Sequence, residues 1–384
     1  MAGGKTDILI YVEDPGAANT VVDLPRALAK RGLGSLTFAA GHAAPYLKSL
    51  GADFTGVGES EDAAALIGAH GPRLVMAGTS ENPDTLGLKL IEAARRRSIV
   101  AVSFVDAPGS AEYRFRGRGH DPLGFAPDWL LAPDDATAGR FRALGFNAHR
   151  VVNCGHPHFD RVREMGRALR RRGRAAVRAG VLPDSPDDRP VVVFLAEISG
   201  GLIPAAFERG DDYTLAGRGA SDRRTDIVLE EFLDAIALVR PRPYIVLRLH
   251  PKNQAREFAA YRPEIDVVSQ GGSPLELVFA ADLVVGMTTT LLFESALIGV
   301  PTLSVVPRPL EVEWLTATAL GIVPSVNTRE ALRDILPTAV ANPSRLMARP
   351  ADKVIHFGAL DRMADFLSCL LAGGAVGSKA GGNN

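Results

Sequence analysis

Short apolar runs alternate along the chain with stretches whose hydrophobic residues recur at helical spacing. The clearest apolar runs are Asp7–Val12, Leu74–Ala77, Ile99–Val105, Pro190–Ala196, Tyr244–Leu249 and Pro301–Val306. Runs of this length are typical of strands that are buried on both faces of a parallel sheet. Because strand and helix patterns alternate, we predict an α/β fold built from doubly wound parallel sheets.

The strand–helix alternation breaks once, in a segment rich first in Arg and Ala and then in Pro and Asp. Such a change in composition is typical of a domain boundary. A chain of 384 residues is also too long for one ordinary core. We therefore predict an N-terminal domain over 1–165, a linker over 166–189, a C-terminal domain over 190–350, a final helix over 351–371 and a disordered tail over 372–384.

Composition excludes several classes of function. The net charge of −1 and the absence of a basic tail argue against nucleic acid as a partner. Two cysteines, Cys154 and Cys369, cannot build a disulfide framework or a thiolate metal site. No signal-peptide layout and no apolar stretch of about 20 residues is present. We expect a cytoplasmic protein with no membrane span, metal or cofactor. The sequence leaves open whether it forms a homodimer.

The most informative stretch begins with the apolar run that ends in His250-Pro251. His250 is thereby predicted at the carboxyl end of a strand, where open α/β sheets bind their ligands. Further on, a strand over Asp282–Val285, a turn over Gly286–Thr290 and a helix over Leu291–Ile298 follow one another. A small-residue turn that leads into a helix is an anion site, because free N–H groups and the helix dipole both favour negative charge. Both features suit a phosphate or diphosphate.

Four segments together resemble one superfamily. They are AGTSENPDTL with VSFVDAPGSAEYRF, APDWLLAPDDATAGRFRALGFNAHRVVNCGHP, VLRLHP, and ADLVVGMTTTLLFESALIGVPTLSV. The first pair resembles the cleft-facing loops of a GT-B amino-terminal domain, and the second segment resembles the end of that domain. VLRLHP is similar to the His-Pro motif of bacterial sialyl-, Kdo- and CDP-glycerol-type transferases. The last segment is similar to the donor-phosphate turn and helix that these enzymes share with non-hydrolysing UDP-sugar 2-epimerases. The resemblance implies a GT-B fold, with two Rossmann-like domains facing a cleft and a nucleotide-sugar co-substrate.

The resemblance favours a metal-independent glycosyltransferase that moves a sugar from a nucleotide-sugar donor to a hydroxyl or amine acceptor. Gly286–Thr290 lacks the Asp-Ser-Gly-Gly turn of the epimerases, and Met287–Thr290 differs from the Asp-Tyr-Ser-Ser of CDP-glycerol transferases. An epimerase-like isomerase and a CDP-alcohol-type phosphotransferase remain alternatives on the same fold. A two-domain binding protein without catalytic activity is a further alternative.

The predicted phosphate ligands are His250 and the threonines of the turn. His250 either donates to the diphosphate and acts in catalysis or simply ends its strand. Thr288, Thr289 and Thr290 either contact the phosphates or cap the helix, since Thr is a good N-cap residue. A capping box fails from Thr290, because Phe293 stands where Glu or Gln is needed.

Three further residues are assigned to the donor. Glu294 lies among apolar neighbours, and the resemblance implies that it binds the ribose; a structural salt bridge is the alternative. Glu197 follows the strand that opens the second half and begins a long polar loop to Asp226. It either binds sugar hydroxyls or pairs with Arg248, which shares a strand face with His250. The loop arginines could close over phosphates or simply be solvated; they are Arg218, Arg223 and Arg224.

An inverting enzyme of this fold needs a general base from its amino-terminal half. Asp106 and Asp14 both follow predicted strands and are ranked as nearly equal candidates, ahead of Glu81. Each is equally able to cap a helix or hold a loop. The Pro-Gly of the loop over Glu13–Asn19 predicts a turn, with a helix following over Thr20–Arg31.

The acceptor side and the hinge supply the remaining candidates. Asn19, Glu81 and Tyr113 are predicted to contact the acceptor, although the aromatic ring could equally belong to the core. His156 and His158 have the spacing of a metal pair, but no third ligand follows. A hinge turn explains that pair better.

Overall fold

The computed structural model describes residues 6–58, 60–80, 82–106, 109–198, 200, 207–346 and 355–373. The chain divides into two compact units, of which the first is Met1–Asp160 with Ile355–Asn384 and the second is Arg161–Val354. These bounds differ from the predicted domains, because the last segment joins the first unit. The predicted fold class, two parallel-sheet α/β units, is confirmed.

The first unit contains seven strands and most of the early helices. Its strands are β1 (Ile8–Val12), β2 (Ser35–Ala39), β3 (Thr55–Gly56), β4 (Leu74–Gly78), β5 (Val100–Phe104), β6 (Trp129–Ala132) and β7 (Val151–Asn153). Its helices are α1 (Pro15–Val21), α2 (Leu24–Ala29), α3 (Ala43–Ser49), α4 (Ala63–His70), α5 (Leu86–Arg96) and α6 (Asp135–Ala143). The strands pair in parallel in the order β3-β2-β1-β4-β5-β6-β7. Every residue of β1 and β4 is buried, as expected for central strands covered on both faces.

The boundary between the units falls inside a helix. Helix α7 (Pro157–Arg172) is followed directly by α8 (Arg174–Val181), so the predicted linker 166–189 is largely helical. Arg178 of α8 pairs with Asp282 at 2.8 Å, and Arg172 of α7 pairs with Glu276. Both partners belong to the second unit, and these contacts hold the two helices there.

The second unit is a six-stranded parallel sheet with its own core. Its strands are β8 (Val191–Leu195), β9 (Tyr244–Arg248), β10 (Val267–Ser269), β11 (Leu283–Gly286), β12 (Thr302–Val305) and β13 (Ser325–Val326). Its remaining helices are α9 (Arg224–Ile236), α10 (Pro274–Ala280), α11 (Thr290–Leu297), α12 (Thr316–Ala319) and α13 (Arg329–Ala341). The strand order is β10-β9-β8-β11-β12-β13. In both sheets the order reverses next to the first strand, and each reversal is a switch point, where such folds bind ligands.

Segments of 3₁₀ helix lie between these elements; they span Ala111–Tyr113, Ala148–Arg150, Ala255–Glu264, Pro309–Trp314 and Pro343–Leu346. Several helices start at a side-chain cap that accepts a backbone N–H, which satisfies one of their unpaired donors. These caps are Asp62, Thr85, Asp134, Ser273, Thr289 and Thr328. No helix in the described ranges combines the length and apolarity needed to cross a membrane.

The last helix, α14 (Ala359–Leu371), packs on the first unit. Met363 and Leu367 are fully buried in the same core cluster as Ile8 and Ile10 of β1. Burial of a side chain of this size contributes about 1.5–3 kcal/mol. Arg31 also pairs with Asp365 at 2.7 Å. The sequence predicted a final helix over 351–371; the observed helix starts at Ala359, and its contacts show that it completes the core of the first unit.

The predicted helix over Thr20–Arg31 is wrong in its bounds. The structure instead has α1 and α2, and Pro15 is the first residue of α1. The Pro-Gly pair therefore starts a helix and does not form a turn, because proline lacks an N–H and suits the first helical position.

Candidate functional site

The second unit places its predicted donor residues at one edge of its sheet. Glu197 follows β8, His250 follows β9, and the turn before α11 follows β11. These three strands are neighbours in the sheet, with the switch point between β8 and β11. Because all three are parallel, their carboxyl ends meet at the same edge, and the sequence-based grouping of Glu197, His250 and the turn is therefore supported by the topology.

The turn between β11 and α11 is fixed by its neighbours. A Cβ on Gly286 would lie 3.3 Å from the Cβ of Leu195, so a larger residue would crowd β8. The Met287 carbonyl accepts a hydrogen bond from Ser304 Oγ at 2.7 Å. The Thr288 N–H donates to Glu197 Oε1 at 2.6 Å. The turn is held from both adjacent strands.

The three threonines of the turn have different surroundings. Thr288 Oγ1 donates to Glu197 Oε2 at 3.0 Å and accepts from Arg224 at 3.2 Å, so its hydroxyl is used inside the protein. Thr289 is the N-cap of α11 and accepts from the Leu291 N–H at 3.4 Å. Thr290 is exposed at the first position of the helix, and Glu294 is half-buried one turn later.

The imidazole of His250 has a defined tautomer. Its Nδ1 accepts a hydrogen bond from the Lys252 N–H at 3.1 Å, which places the proton of the neutral ring on Nε2. Burial lowers the pKa of His250, the Lys252 ammonium lowers it further, and the Glu197 carboxylate opposes both. At pH 7 the ring is thus neutral and presents an N–H donor at Nε2.

A buried network of charges lies behind the turn. Arg224, only 1% exposed, donates to Glu197 Oε2 at 2.9 Å and to Glu311 Oε2 at 2.8 Å. Glu311 has no exposed surface and also accepts from Arg308 Nε at 2.7 Å. Two carboxylates and two guanidiniums therefore neutralise each other, as buried charges must.

One of the predicted arginine pairings is wrong. Arg248 does not pair with Glu197; its guanidinium donates to Ser269 Oγ at 3.1 Å and to the Gly271 carbonyl. Burial lowers the pKa of Arg248. The loop arginines are also engaged within the protein, since Arg218 pairs with Asp234 and Glu264, each at 2.7 Å. Sequence spacing could not reveal these partners, because each lies on a different element.

The first unit has its own polar cluster at the switch point between β1 and β4. Glu13 directly follows β1 and is 8% exposed. Its carboxylate accepts hydrogen bonds from Asn82 Nδ2 at 2.7 Å, from Tyr11 Oη at 3.3 Å and from the Thr85 hydroxyl. Glu13 was not among the predicted site residues, although its place directly after the first strand was the available signal.

Asp106 follows β5 and lies against the start of α1. A Cβ on Gly16 would lie 1.8 Å from Asp106 Oδ2, so the carboxylate occupies the space that glycine leaves open. Arg114 is 3.8 Å from Asp106 Oδ1. The His156 ring accepts from the His158 N–H at 3.3 Å through Nδ1, which leaves Nε2 as the donor to the Asp106 carbonyl at 3.2 Å.

His156 therefore holds the Asp106 backbone, a role that the predicted hinge did not include. In the ranges that the structure describes, no three His, Cys, Asp or Glu side chains form a group that could bind a metal. The thiol of Cys154 is buried, and burial raises its pKa to about 12.

The other predicted residues that the structure describes in the first unit lie on different elements. Asp14 is the N-cap residue of α1 and is half-buried. Asn19 Oδ1 accepts from Tyr46 Oη at 2.7 Å. The Arg116 guanidinium carbon lies over the Tyr113 ring, 4.4 Å from the ring centroid. Glu81 lies outside the described residues. The base and acceptor roles of these residues stay predictions.

No protein-family model and no curated protein matches the chain. Solved structures do match it. The UDP-GlcNAc 2-epimerase of Neisseria meningitidis bound to UDP-GlcNAc is 15% identical, with a TM-score of 0.64 over 95% of this chain and 99% of that one. The Methanocaldococcus jannaschii UDP-GlcNAc 2-epimerase in complex with UDP-GlcNAc and UDP is 15% identical, with a TM-score of 0.63 over 94% and 99%.

A variant of the wall teichoic acid polymerase TagF is also similar, at 13% identity and a TM-score of 0.54, over 96% of this chain and 89% of that one. At these identities the likeness concerns the fold. Together with the two parallel sheets, it shows that this chain has the two-domain, Rossmann-like GT-B fold, as the sequence predicted.

Proposed function

We propose that this protein is a glycosyltransferase that uses a nucleotide-sugar donor. The observation that carries the proposal is that a neutral His250 donor and the start of α11 follow β9 and β11 at the same edge of the sheet. An imidazole N–H and the positive end of a helix dipole both favour the diphosphate of a leaving nucleotide. The buried charges behind the turn neutralise each other and so leave these donors to determine what binds.

The chemistry follows from the placement of these groups. As the glycosidic bond to the diphosphate breaks, negative charge grows on the leaving phosphate oxygen. His250 and the N–H groups that begin α11 stabilise that charge, because they are already oriented before the reaction. The first unit binds the acceptor and supplies a carboxylate base, for which Asp106 and Asp14 remain the candidates. No metal or organic cofactor takes part in the proposed reaction, and a chelator should leave the rate unchanged.

The solved structures support a nucleotide-sugar substrate. Two structures with the same fold hold UDP-GlcNAc, and a third is of a teichoic acid polymerase. We therefore place UDP-sugars first among the donors to be tested, with CDP and GDP compounds next.

The test is turnover of nucleotide sugars by His250→Ala. We expect kcat to fall about 10²–10³-fold, the loss typical of one transition-state donor, while the melting temperature stays close to that of wild type. Arg256→Ala is the matched control, because Arg256 is exposed in the neighbouring 3₁₀ helix. Wild-type turnover in the His250 variant would contradict the proposal.

A UDP-sugar 2-epimerase is the second candidate, because the epimerase structures align over nearly the whole chain. An epimerase needs a single substrate and no acceptor. Incubation with UDP-GlcNAc alone, followed by NMR at C2, separates the two reactions. Release of CMP with phosphate kept on the product would instead identify a CDP-alcohol phosphotransferase.

A further inference from the structure

One guanidinium connects three elements around the proposed phosphate site. Arg224 is the first residue of α9 and is almost completely buried. It donates to Glu197 after β8, to Thr288 after β11 and to Glu311 after β12. These strands are adjacent at the switch point of the sheet. A planar fork of five N–H donors suits such bridging better than an ammonium does.

Glu197 passes this constraint on to the turn. One of its oxygens accepts the Thr288 N–H, and the other accepts the Thr288 hydroxyl and Arg224. Both carboxylate oxygens are therefore occupied within the protein. Glu197, for which the sequence predicted either a sugar hydroxyl or Arg248 as partner, thus orients the peptide from which α11 starts.

We propose that Arg224 is a positioning residue for the phosphate site: it fixes Glu197, and Glu197 fixes the turn whose N–H groups bind the leaving diphosphate. This inference rests on the proposed function. Arg224 is not a catalytic residue, because its guanidinium is enclosed by protein groups. Its second effect is electrostatic, since an unpaired Glu197 would place negative charge beside an anion site.

Arg308 provides a matched comparison within the same network. It donates to the other oxygen of Glu311, and its guanidinium lies 5.0 Å from the Trp314 ring centroid, where Arg224 lies at 5.5 Å. The two arginines thus share Glu311 and Trp314, and the contacts of Arg224 extend further to Glu197 and Thr288. If Arg224 had only a structural role, replacing Arg224 or Arg308 by Lys should have equal effects on nucleotide binding.

The experiment compares Arg224→Lys with Arg308→Lys. UDP, CDP and GDP are titrated into wild type by calorimetry, and the tightest of the three is used for both variants. We expect Arg224→Lys to weaken that nucleotide about tenfold and Arg308→Lys to change its affinity less than twofold. Melting temperatures are measured in parallel, because both substitutions lower stability.

NMR of the nucleotide-free protein supplies a readout that needs no ligand. The amide signals of Thr288, Thr289 and Thr290, and the pH titration of the His250 ring, are recorded for both variants. We expect both to change in Arg224→Lys and to stay at wild-type positions in Arg308→Lys. Equal changes in the two variants, or none in Arg224→Lys, would overturn the inference.

Failure of the proposed function and failure of the role of Arg224 give different results. If wild type binds none of the three nucleotides, the proposed function fails, and the NMR comparison still decides the role of Arg224. If Arg224→Lys does not fold, Glu197→Gln takes its place, because it removes the charge that Arg224 holds. Unchanged amide signals of the turn in Glu197→Gln would then overturn the inference.

Discussion

The two sheets carry a glutamate at equivalent positions, and the partners of the two differ. Glu13 follows β1 and Glu197 follows β8, each the first strand of its sheet. Each accepts hydrogen bonds from the segment beyond the switch point, Glu13 from Asn82 and Thr85, and Glu197 from Thr288. In the described residues, the side-chain partners of Glu13 are neutral, whereas Glu197 is paired with a buried guanidinium.

This difference separates two kinds of site on one architecture. At the first edge, neutral donors hold the carboxylate and connect the segment after β4 to the end of β1. At the second edge, a buried guanidinium offsets the charge of the carboxylate, which is the condition that the proposed diphosphate site needs. The fold supplies the position, and the neighbouring side chains determine the chemistry.

The largest effect is expected at Glu311. Glu311→Gln removes a fully buried charge that two arginines share, and it should destabilise the second unit by about 3 kcal/mol or more. Urea unfolding measures this. The control is Glu264→Gln, whose ion pair with Arg218 is partly exposed and should contribute at most about 1 kcal/mol. Equal losses of unfolding free energy in the two variants would show that the buried ion pairs of Glu311 contribute no more than a partly exposed pair does.

Gly16→Ala is expected to have the next largest effect. The new methyl group would occupy the position of the Asp106 carboxylate, and moving a base by about 1 Å lowers the rate on the order of 100-fold. Turnover of the donor and acceptor pair measures this. Gly139→Ala is the control, since Gly139 lies in α6 and a methyl group added there would have no neighbour within 4 Å. Full activity in Gly16→Ala would remove Asp106 from the candidates.

A smaller effect is expected from Glu13→Gln. The NH₂ group of the amide must face either the Asn82 NH₂ donor or the two hydroxyls, which would then have to turn and accept, so we expect a loss of about 1–3 kcal/mol. Chemical denaturation of the first unit measures the change. The exposed pair of Glu92 and Arg96 gives the control, Glu92→Gln, which should stay within about 0.5 kcal/mol.

The smallest effect concerns acid stability. Burial alone would raise the pKa of Asp266, but the Ile245 N–H and the guanidiniums of Arg242 and Arg189 hold it below its usual range. Asp266 therefore stabilises the fold at pH values above the unfolded pKa of about 3.9, and this contribution is lost as the pH falls through the lowered folded value. Asp266→Asn should flatten the melting-temperature profile between about pH 4 and pH 2. An unchanged acid slope would contradict this account.

Local patterns predicted the fold and the strand ends that His250 and the turn before α11 follow, whereas the side-chain partners depend on long-range contacts. The apolar runs located β9 and β11, and a strand end followed by His-Pro placed His250 correctly at the sheet edge. Arg224 stood in a polar, arginine-containing segment, and the sequence predicted that it either closes over phosphates or is solvated. Its partner Glu311 is 87 residues away along the chain. Pairing over such a separation leaves no periodic trace.

The first unit showed the same limit at shorter range. Asp106 was singled out because it follows a strand, but the glycine that makes room for it belongs to α1. The role of His156 was equally hidden, since its hydrogen bond goes to a backbone carbonyl 50 residues earlier. The sequence thus predicted strand ends, but not which side chains and carbonyls lie against them.

Because α14 belongs to the first unit, the second unit is completed before the first during synthesis. Residues 161–354 form one uninterrupted stretch, so the second unit can fold as soon as it leaves the ribosome. The first unit waits for Met363 and Leu367, and until then the apolar face around Ile8 and Ile10 lacks its cover. A released chain truncated after residue 358 should therefore hold a finished second unit and a protease-sensitive first one.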